Sequence, residues 1–247
     1  MLKSAAITNI GQKRKLNQDS FYTSDAPVGR FPNLYIVADG MGGHRAGDFA
    51  SRYAVDRVVE AIRSSDRGEP RELVQRALAE ANRGLRDTAA EHEEYYGMGT
   101  TFVLCTVDGD RMMAVNVGDS RLYIVSADGT IRQVTVDHSL VEEMVLAGGL
   151  DKRVARTHPD KNIITRAVGA EEELMLDYFS ETIRSGDTIL MCTDGLTNMV
   201  EDERIAQIVH EDGTEDERAR ELVNEANRNG GRDNITVILI EPYPMGE

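Results

Sequence analysis

Tryptophan is absent from these 247 residues, aromatic side chains make up only 5%, and there are two cysteines. Cys105 and Cys192 both fall inside apolar, strand-like runs, which reads as buried thiols in a reducing compartment. No apolar run approaches the length of a membrane span, and Met1 to Lys15 carries no signal-peptide core, so the expectation is a soluble, cytoplasmic protein with no membrane contact. Basic residues are scarce: 28 Lys and Arg stand against 43 Asp and Glu, giving a net charge of −15. A binder of phosphate backbones needs the opposite sign, which argues against nucleic acid as a partner. Most of the acidic excess reads as solvated surface, with room for some metal ligands. Gly-Lys-Ser/Thr is missing, so there is no nucleotide P-loop. The glycines at 40, 42 and 43 do not complete G-x-G-x-x-G, because Arg45 occupies the last place. His92-Glu93-Glu94-Tyr95-Tyr96 starts like a zinc-protease helix but has tyrosine where the second histidine belongs. Repeats, low-complexity tracts and linkers are also missing, and the length suits one domain over 1–247 with a substantial core.

The most informative stretch is Tyr35 to His44, YIVADGMGGH. A continuous apolar run, Leu34 to Ala38, reads as a fully buried strand ending on Asp39; three of the next four residues are glycine, and a helical pattern begins near Ala46. Asp-Gly pairs elsewhere serve as a control. Asp108-Gly109 and Asp128-Gly129 lie between strand-like runs and read as two-residue hairpin turns. Asp39-Gly40 and Asp194-Gly195 instead lead from buried strands toward helices, a placement that favours metal binding over turn chemistry.

Strands are expected at 4–9, 19–24, 33–39, 99–107, 111–117, 121–127, 130–135, 174–179, 188–193 and 235–240. Helices are expected from Ala46 to Arg63, from Pro70 through the stripe Val74, Ala77, Leu78, Ala81 and Leu85, at 139–146, at 201–209 and at 215–228. Thr214 and Glu217 form a capping box for the last of these. Gly148 to Lys161 has no consistent period and reads as a long exposed excursion. Strands in a block and helix pairs in separate blocks indicate an α+β fold.

Cys105 and Arg111 fit C-x5-R, the spacing of cysteine phosphatases, but the intervening Asp108 and Asp110 would repel a phosphate and raise the thiol pKa. What remains is a set of aspartates at strand ends or in short loops beside strands: Asp19, Asp39, Asp119, Asp194 and Asp233. Oxygen-only ligands select Mg²⁺ or Mn²⁺ over zinc, and several carboxylates share a site only when cations offset their repulsion.

VADGMGGH, preceded by RKLNQDS and followed in order by GTT, VGDSR, ITRAVG, CTDGL and GRDNITV, resembles the metal-dependent protein phosphatase family, type 2C, in its soluble bacterial branch. The motifs run from Arg14 to Val237. The resemblance implies two antiparallel sheets packed face to face, with antiparallel helix pairs on both outer sides. It implies hydrolysis of phosphoserine and phosphothreonine on proteins by direct attack of a metal-bridging hydroxide, with a cognate bacterial Ser/Thr kinase among the substrates and a monomeric enzyme. By the same resemblance Asp39 bridges two Mn²⁺ or Mg²⁺ ions, and the Gly40 carbonyl binds one of them. Asp194 and Asp233 hold one ion, Asp19 supports the other through water, and Asp119 helps Asp194 hold a third, weaker one. Arg14 grips the substrate phosphate, and residues 148–166 form a flap beside the active site. Some family members carry histidine two residues after the bridging aspartate as the acid for the leaving alkoxide. Here that place is Met41, which leaves the general acid open, metal-bound water included. Two other readings stand beside this one: a noncatalytic module of the same fold, and a small-molecule phosphomonoesterase.

Overall fold

A computed structural model describes residues 2–43, 46–65 and 68–243. Two antiparallel sheets form its centre. In chain order the elements are β1 (Lys3–Asn9), β2 (Asp19–Ser24), β3 (Leu34–Met41), α1 (Ala46–Ser64), α2 (Pro70–Glu91), a single 3₁₀ turn (Glu93–Tyr95), β4 (Gly99–Thr100), β5 (Phe102–Asp108), β6 (Arg111–Val117), β7 (Arg121–Val125), β8 (Ile131–Gln133), α3 (Leu140–Leu146), α4 (Lys152–Ala155), β9 (Asp177–Thr182), β10 (Thr188–Cys192), α5 (Asp194–Thr197), α6 (Asp202–Val209), α7 (Glu215–Arg228) and β11 (Ile235–Glu241). One sheet runs β1-β11-β10-β7-β8 and the other β2-β3-β5-β6-β9, with β4 paired to the end of β3.

The unbroken apolar runs are explained by burial on both faces. Along β3, Tyr35 and Val37 enter the layer between the sheets, while Leu34, Ile36 and Ala38 face α1 and α2. In β10 and β11, Ile189, Met191, Ile238 and Ile240 meet them from the other sheet, while Leu190, Cys192, Val237 and Leu239 pack under α5, α6 and α7. Three apolar layers result, one between the sheets and one beneath each group of helices, as the resemblance implied. α2 opens on Pro70, and Thr214 and Glu217 complete the capping box of α7.

Several boundaries differ from the expected ones. β3 does not stop at Asp39 but runs through Gly40 and Met41, because β4 supplies partners, Thr100 for Gly40 and Gly99 for Met41. The first hairpin turns at Gly109-Asp110, with Asp108 paired to Arg111 inside the ladder. The second is a three-residue loop, Ala127-Asp128-Gly129, closed by the Ser126 N–H on the Thr130 carbonyl at 2.9 Å. β9 lies three residues later than expected, at Asp177–Thr182, and α4 is an unexpected short helix inside the excursion.

Candidate metal centre

The register of β2 against β3 places Asp19 directly opposite Asp39. Backbone bonds fix the second strand at that point. The Asp39 N–H donates to Thr101 Oγ1 at 2.8 Å, the Asp39 carbonyl accepts from the Thr101 N–H at 2.9 Å, and the Gly40 N–H donates to the Gln18 carbonyl at 3.0 Å. Thr101 Oγ1 also shares a 2.7 Å bond with Ser120 Oγ, which ties the Asp119 loop to the same strand. Asp19 is buried; its Oδ2 accepts from Thr193 Oγ1 at 2.9 Å and Thr236 Oγ1 at 2.6 Å. Thr193, the residue before α5, therefore spends its hydroxyl on Asp19 and does not cap its own helix.

Asp194 is the first residue of α5, and its Oδ2 accepts from Asn198 Nδ2 at 2.8 Å. Close backbone approach sets its distance from Asp233: a Cβ on Gly195 would lie 1.9 Å from the Asn234 carbonyl oxygen, so only glycine lets α5 sit against the loop before β11. Asn234 in turn holds the basic turn. Its amide donates to the Ile10 and Leu16 carbonyls, and its Oδ1 accepts the Gln18 N–H at 2.8 Å. Arg14 rides on that turn, half-exposed, with Nη2 2.6 Å from Asp233 Oδ2.

Asp119, buried, follows β6 and lines, with Asp194, a cleft of about 530 Å³. The excursion from Gly148 to Arg166 forms one wall of that cleft. Arg156 donates to the Thr197 carbonyl at 3.1 Å and Lys161 to Asn198 Oδ1, so the excursion is fastened to the C-terminal end of α5.

Burial and mutual repulsion shape this site electrostatically. Burial raises the Asp39 carboxyl well above the usual range, and Asp19, Asp194, Asp119 and Asp233 each push it further. Burial lifts Asp19 to about 7, against the hydroxyl bonds from Thr236 and Thr193, with Asp194 and Asp233 adding repulsion. Asp194 is pushed up to about 6 by burial and Asp233, against Lys161, Arg121 and Arg14. Asp119 rises through burial, Asp194 and Asp137. Asp19, Asp39, Asp119 and Asp194 thus all bind protons more readily than free carboxylates, through burial and their neighbours' charge, the condition that divalent cations relieve.

The donor chemistry fits hard cations. Asp19 Oδ1 and Asp194 Oδ1 are buried with no hydrogen-bond partner, an arrangement that costs free energy unless something positive binds them. Among the described residues no three acidic, histidine or cysteine side chains close on a single point as a finished coordination sphere. One oxygen of Asp233 is held by Arg14 and one of Asp194 by Asn198, so ions here would complete their shells with water, as Mg²⁺-type ions do.

Comparison with known proteins decides the family. Residues 10–228 match the family described as protein phosphatase 2C. The chain belongs to that family. It is 41% identical over 241 residues to the serine/threonine phosphatase stp of Listeria innocua, spanning 95% of this chain and 93% of that one. The serine/threonine phosphatase of S. agalactiae superposes with a TM-score of 0.91 at 36% identity, covering 99% of this chain and all of the other. The catalytic domain of the serine/threonine protein phosphatase PstP, solved with two manganese ions, superposes with a TM-score of 0.85 at 30% identity over 97% of both chains.

The protein phosphatase 2C fold brings together all of the expected aspartates, with Gly40 beside Asp39 and Arg14 on Asp233. His44 and Arg45 lie outside the described residues. The C-x5-R match separates in space: Cys105 is fully buried between the sheets with its thiol pushed far up by burial, whereas Arg111 is exposed beside the hairpin turn. Sequence reading missed the supporting shell of Thr101, Thr193, Thr236, Asn198 and Asn234. Four of these sit inside motifs it quoted (GTT, CTDGL, GRDNITV), where a buried hydroxyl or amide next to a candidate ligand was the available signal.

Proposed function

We propose that Asp39, the Gly40 carbonyl, Asp19, Asp194 and Asp233 hold two Mn²⁺ or Mg²⁺ ions, and that Asp119 with Asp194 holds a third more weakly. The protein is a metal-dependent phosphatase acting on phosphoserine and phosphothreonine in proteins. The observation that carries this reading is the gathering of Asp19, Asp119, Asp194 and Asp233 around the buried Asp39, two of them with partnerless buried oxygens, with Asp119 and Asp194 lining a cleft. Bound there, the ions supply Lewis acidity and a water acidic enough to act as nucleophile near neutral pH. The chain's residues do the rest. Asp39 would be shared between the two ions, and Asp19, held by the Thr193 and Thr236 hydroxyls, would support one of them through water. Arg14 binds the phosphate of the substrate: its bond to Asp233 engages one of five guanidinium donors, and the group is half open to solvent. Met41 carries no titratable proton, so the leaving alkoxide is protonated from another source, solvent included. The flap from 148 to 166 borders a cleft of about 530 Å³, and an open, flap-edged site suits phosphoproteins, a cognate Ser/Thr kinase among them, over small phosphomonoesters. We read the chain as one catalytic domain, since β1 pairs with β11 and both sheets share one apolar layer. It works as a monomer in the cytoplasm; among the described residues no helix is long and apolar enough to cross a membrane.

Dephosphorylation of a phosphothreonine peptide should stop with chelator, return with Mn²⁺ or Mg²⁺, and exceed that of nucleoside monophosphates. Chelator-resistant turnover that depended on Cys105 would remove the metal assignment. Preference for nucleoside monophosphates would remove only the substrate class.

Arg14→Ala should raise KM about tenfold and lower kcat less. Its ion pair with Asp233 is solvent-exposed and contributes at most about 1 kcal/mol, so the melting temperature should barely move. Unchanged kinetics would make Arg14 an ordinary surface residue.

A further inference from the structure

His138 lies in VDHS, a stretch given no role above, and it is buried. It brackets Gly118, the residue that precedes Asp119. The His138 backbone N–H donates to the Gly118 carbonyl at 3.0 Å, and the Gly118 N–H donates to His138 Nδ1 at 3.1 Å. A backbone N–H can only donate, so Nδ1 carries the lone pair and the ring proton resides on Nε2. That proton faces Asp177 Oδ2 at 3.1 Å; Arg166 Nη1 donates to Asp177 Oδ1 at 3.0 Å and, with the ring in this tautomer, is at 3.3 Å a neighbour of Nε2 and not a donor to it. The ring is thus locked in one tautomer and one orientation. Gly118 has φ +100°, a left-handed conformation that few residues adopt, so its geometry depends on what grips it. Asn116 Nδ2 reaches the Gly118 carbonyl only at 3.3 Å. The return end of the flap is anchored to the same residue, through the Thr165 N–H on the His138 carbonyl at 2.8 Å.

We infer that His138 is a positioning residue: by accepting the Gly118 N–H on Nδ1 it sets Asp119 in the lining of the cleft and thereby tunes the weakly held third ion, leaving the two principal ions alone. The logic is that of an outer hydrogen bond orienting a metal-binding carboxylate, transmitted here through one peptide unit. A buried histidine serving only as packing would stabilise the fold without distinguishing one ion from another. The inference rests on the reading of Asp119 as the ligand of the third ion.

Two variants separate the ring's ends. His138→Asn keeps an acceptor near the Nδ1 position and gives up Asp177; His138→Gln keeps a polar group near Nε2 and gives up the Gly118 acceptor. In metal-free protein, exchange of the Gly118 amide hydrogen should accelerate about tenfold in His138→Gln and change by less than about threefold in His138→Asn. Calorimetric titration with Mn²⁺ should show both tight sites unchanged in each variant. The Mn²⁺ concentration that half-saturates the weak phase of phosphopeptide turnover should rise about tenfold in His138→Gln only. Equal losses in both variants that follow the melting temperature, with no shift in half-saturation, would overturn the positioning role. Should both variants fail to fold, Asp177→Ala decides: without Asp177 the imidazole, unlike the amide of His138→Asn, can move its proton to Nδ1 and lose the Gly118 acceptor, so half-saturation should rise, and no shift overturns the inference. Asp119→Ala tells the two failures apart. If it abolishes the weak phase while His138→Gln leaves it unmoved, positioning by His138 falls alone. If Asp119→Ala itself keeps the weak phase, the third-ion reading falls and takes this inference with it.

Discussion

Asp39→Asn should lower phosphopeptide turnover roughly a thousandfold while making the chelated protein more stable. The two effects have one cause. Asp39 is the carboxylate that feels all of its neighbours: burial comes first, and Asp19, Asp194, Asp119 and Asp233 each disfavour its ionised form. In the bridging role proposed for it, that charge would neutralise two cations at once, and an amide of the same size could not replace it. Without ions, the same charge is a liability, and the neutral amide removes it. The backbone around it has no reason to move, since its fixing bonds run from the Asp39 N–H and carbonyl to Thr101 and Thr100 and not from the side chain. The checks are kcat with saturating Mn²⁺ and melting of the chelated protein at pH 8 beside wild type. Near-normal turnover would remove Asp39 from the bridging position. Lower stability of the chelated variant would show that the repulsion described here is not felt in solution.

What could be read from the sequence, and what could not, divides by the distance over which a residue's role is set. Leu34 to Ala38 could be read as a buried strand because both faces are apolar, and the ordered motifs placed Asp19, Asp39, Asp119, Asp194 and Asp233 before any coordinates. Thr236 could not be read. Its hydroxyl matters because it donates to Asp19, which lies on the other sheet and 217 positions away in the chain. Asn234 stood in GRDNITV with no role of its own, yet it holds three backbone groups of the Ile10–Gln18 turn. The extension of β3 through Gly40 and Met41 was hidden for the same reason: glycine ordinarily weakens a strand, and the partner that sustains this one is a two-residue strand 60 positions further on. α4 was hidden for the opposite reason, since four residues are too few to show a period.

Removal of metal should reverse the usual effect of mild acid, so that the chelated protein melts higher at pH 5.5 than at pH 8. Asp19, Asp39, Asp119 and Asp194 all have folded-state pKa values raised above the ordinary 3.8, to about 7 for Asp19 and about 6 for Asp194. A group raised in this way favours folding while it is protonated. Its contribution is complete below the unfolded value and is lost as the pH climbs through the folded one, here across the window from about 4 to beyond 7. For this coupled cluster the loss is on the order of several kcal/mol, a large share of the stability of a typical domain. Mn²⁺ should cancel it. The ions need ionised carboxylates and compete with protons, so their stabilisation grows with pH, and the gain in melting temperature on adding Mn²⁺ should be larger at pH 8 than at pH 5.5. The net charge of −15 confounds the simple comparison, because general self-repulsion also weakens the fold as the pH rises. Asp39→Asn provides the correction. It changes one charge in the cluster and none elsewhere, so the difference in melting temperature between the chelated variant and chelated wild type isolates the cluster. That difference should favour the variant and widen from pH 5.5 to pH 8. A constant difference would mean that the cluster does not titrate in this range, and a narrowing one would reverse the sign argued here.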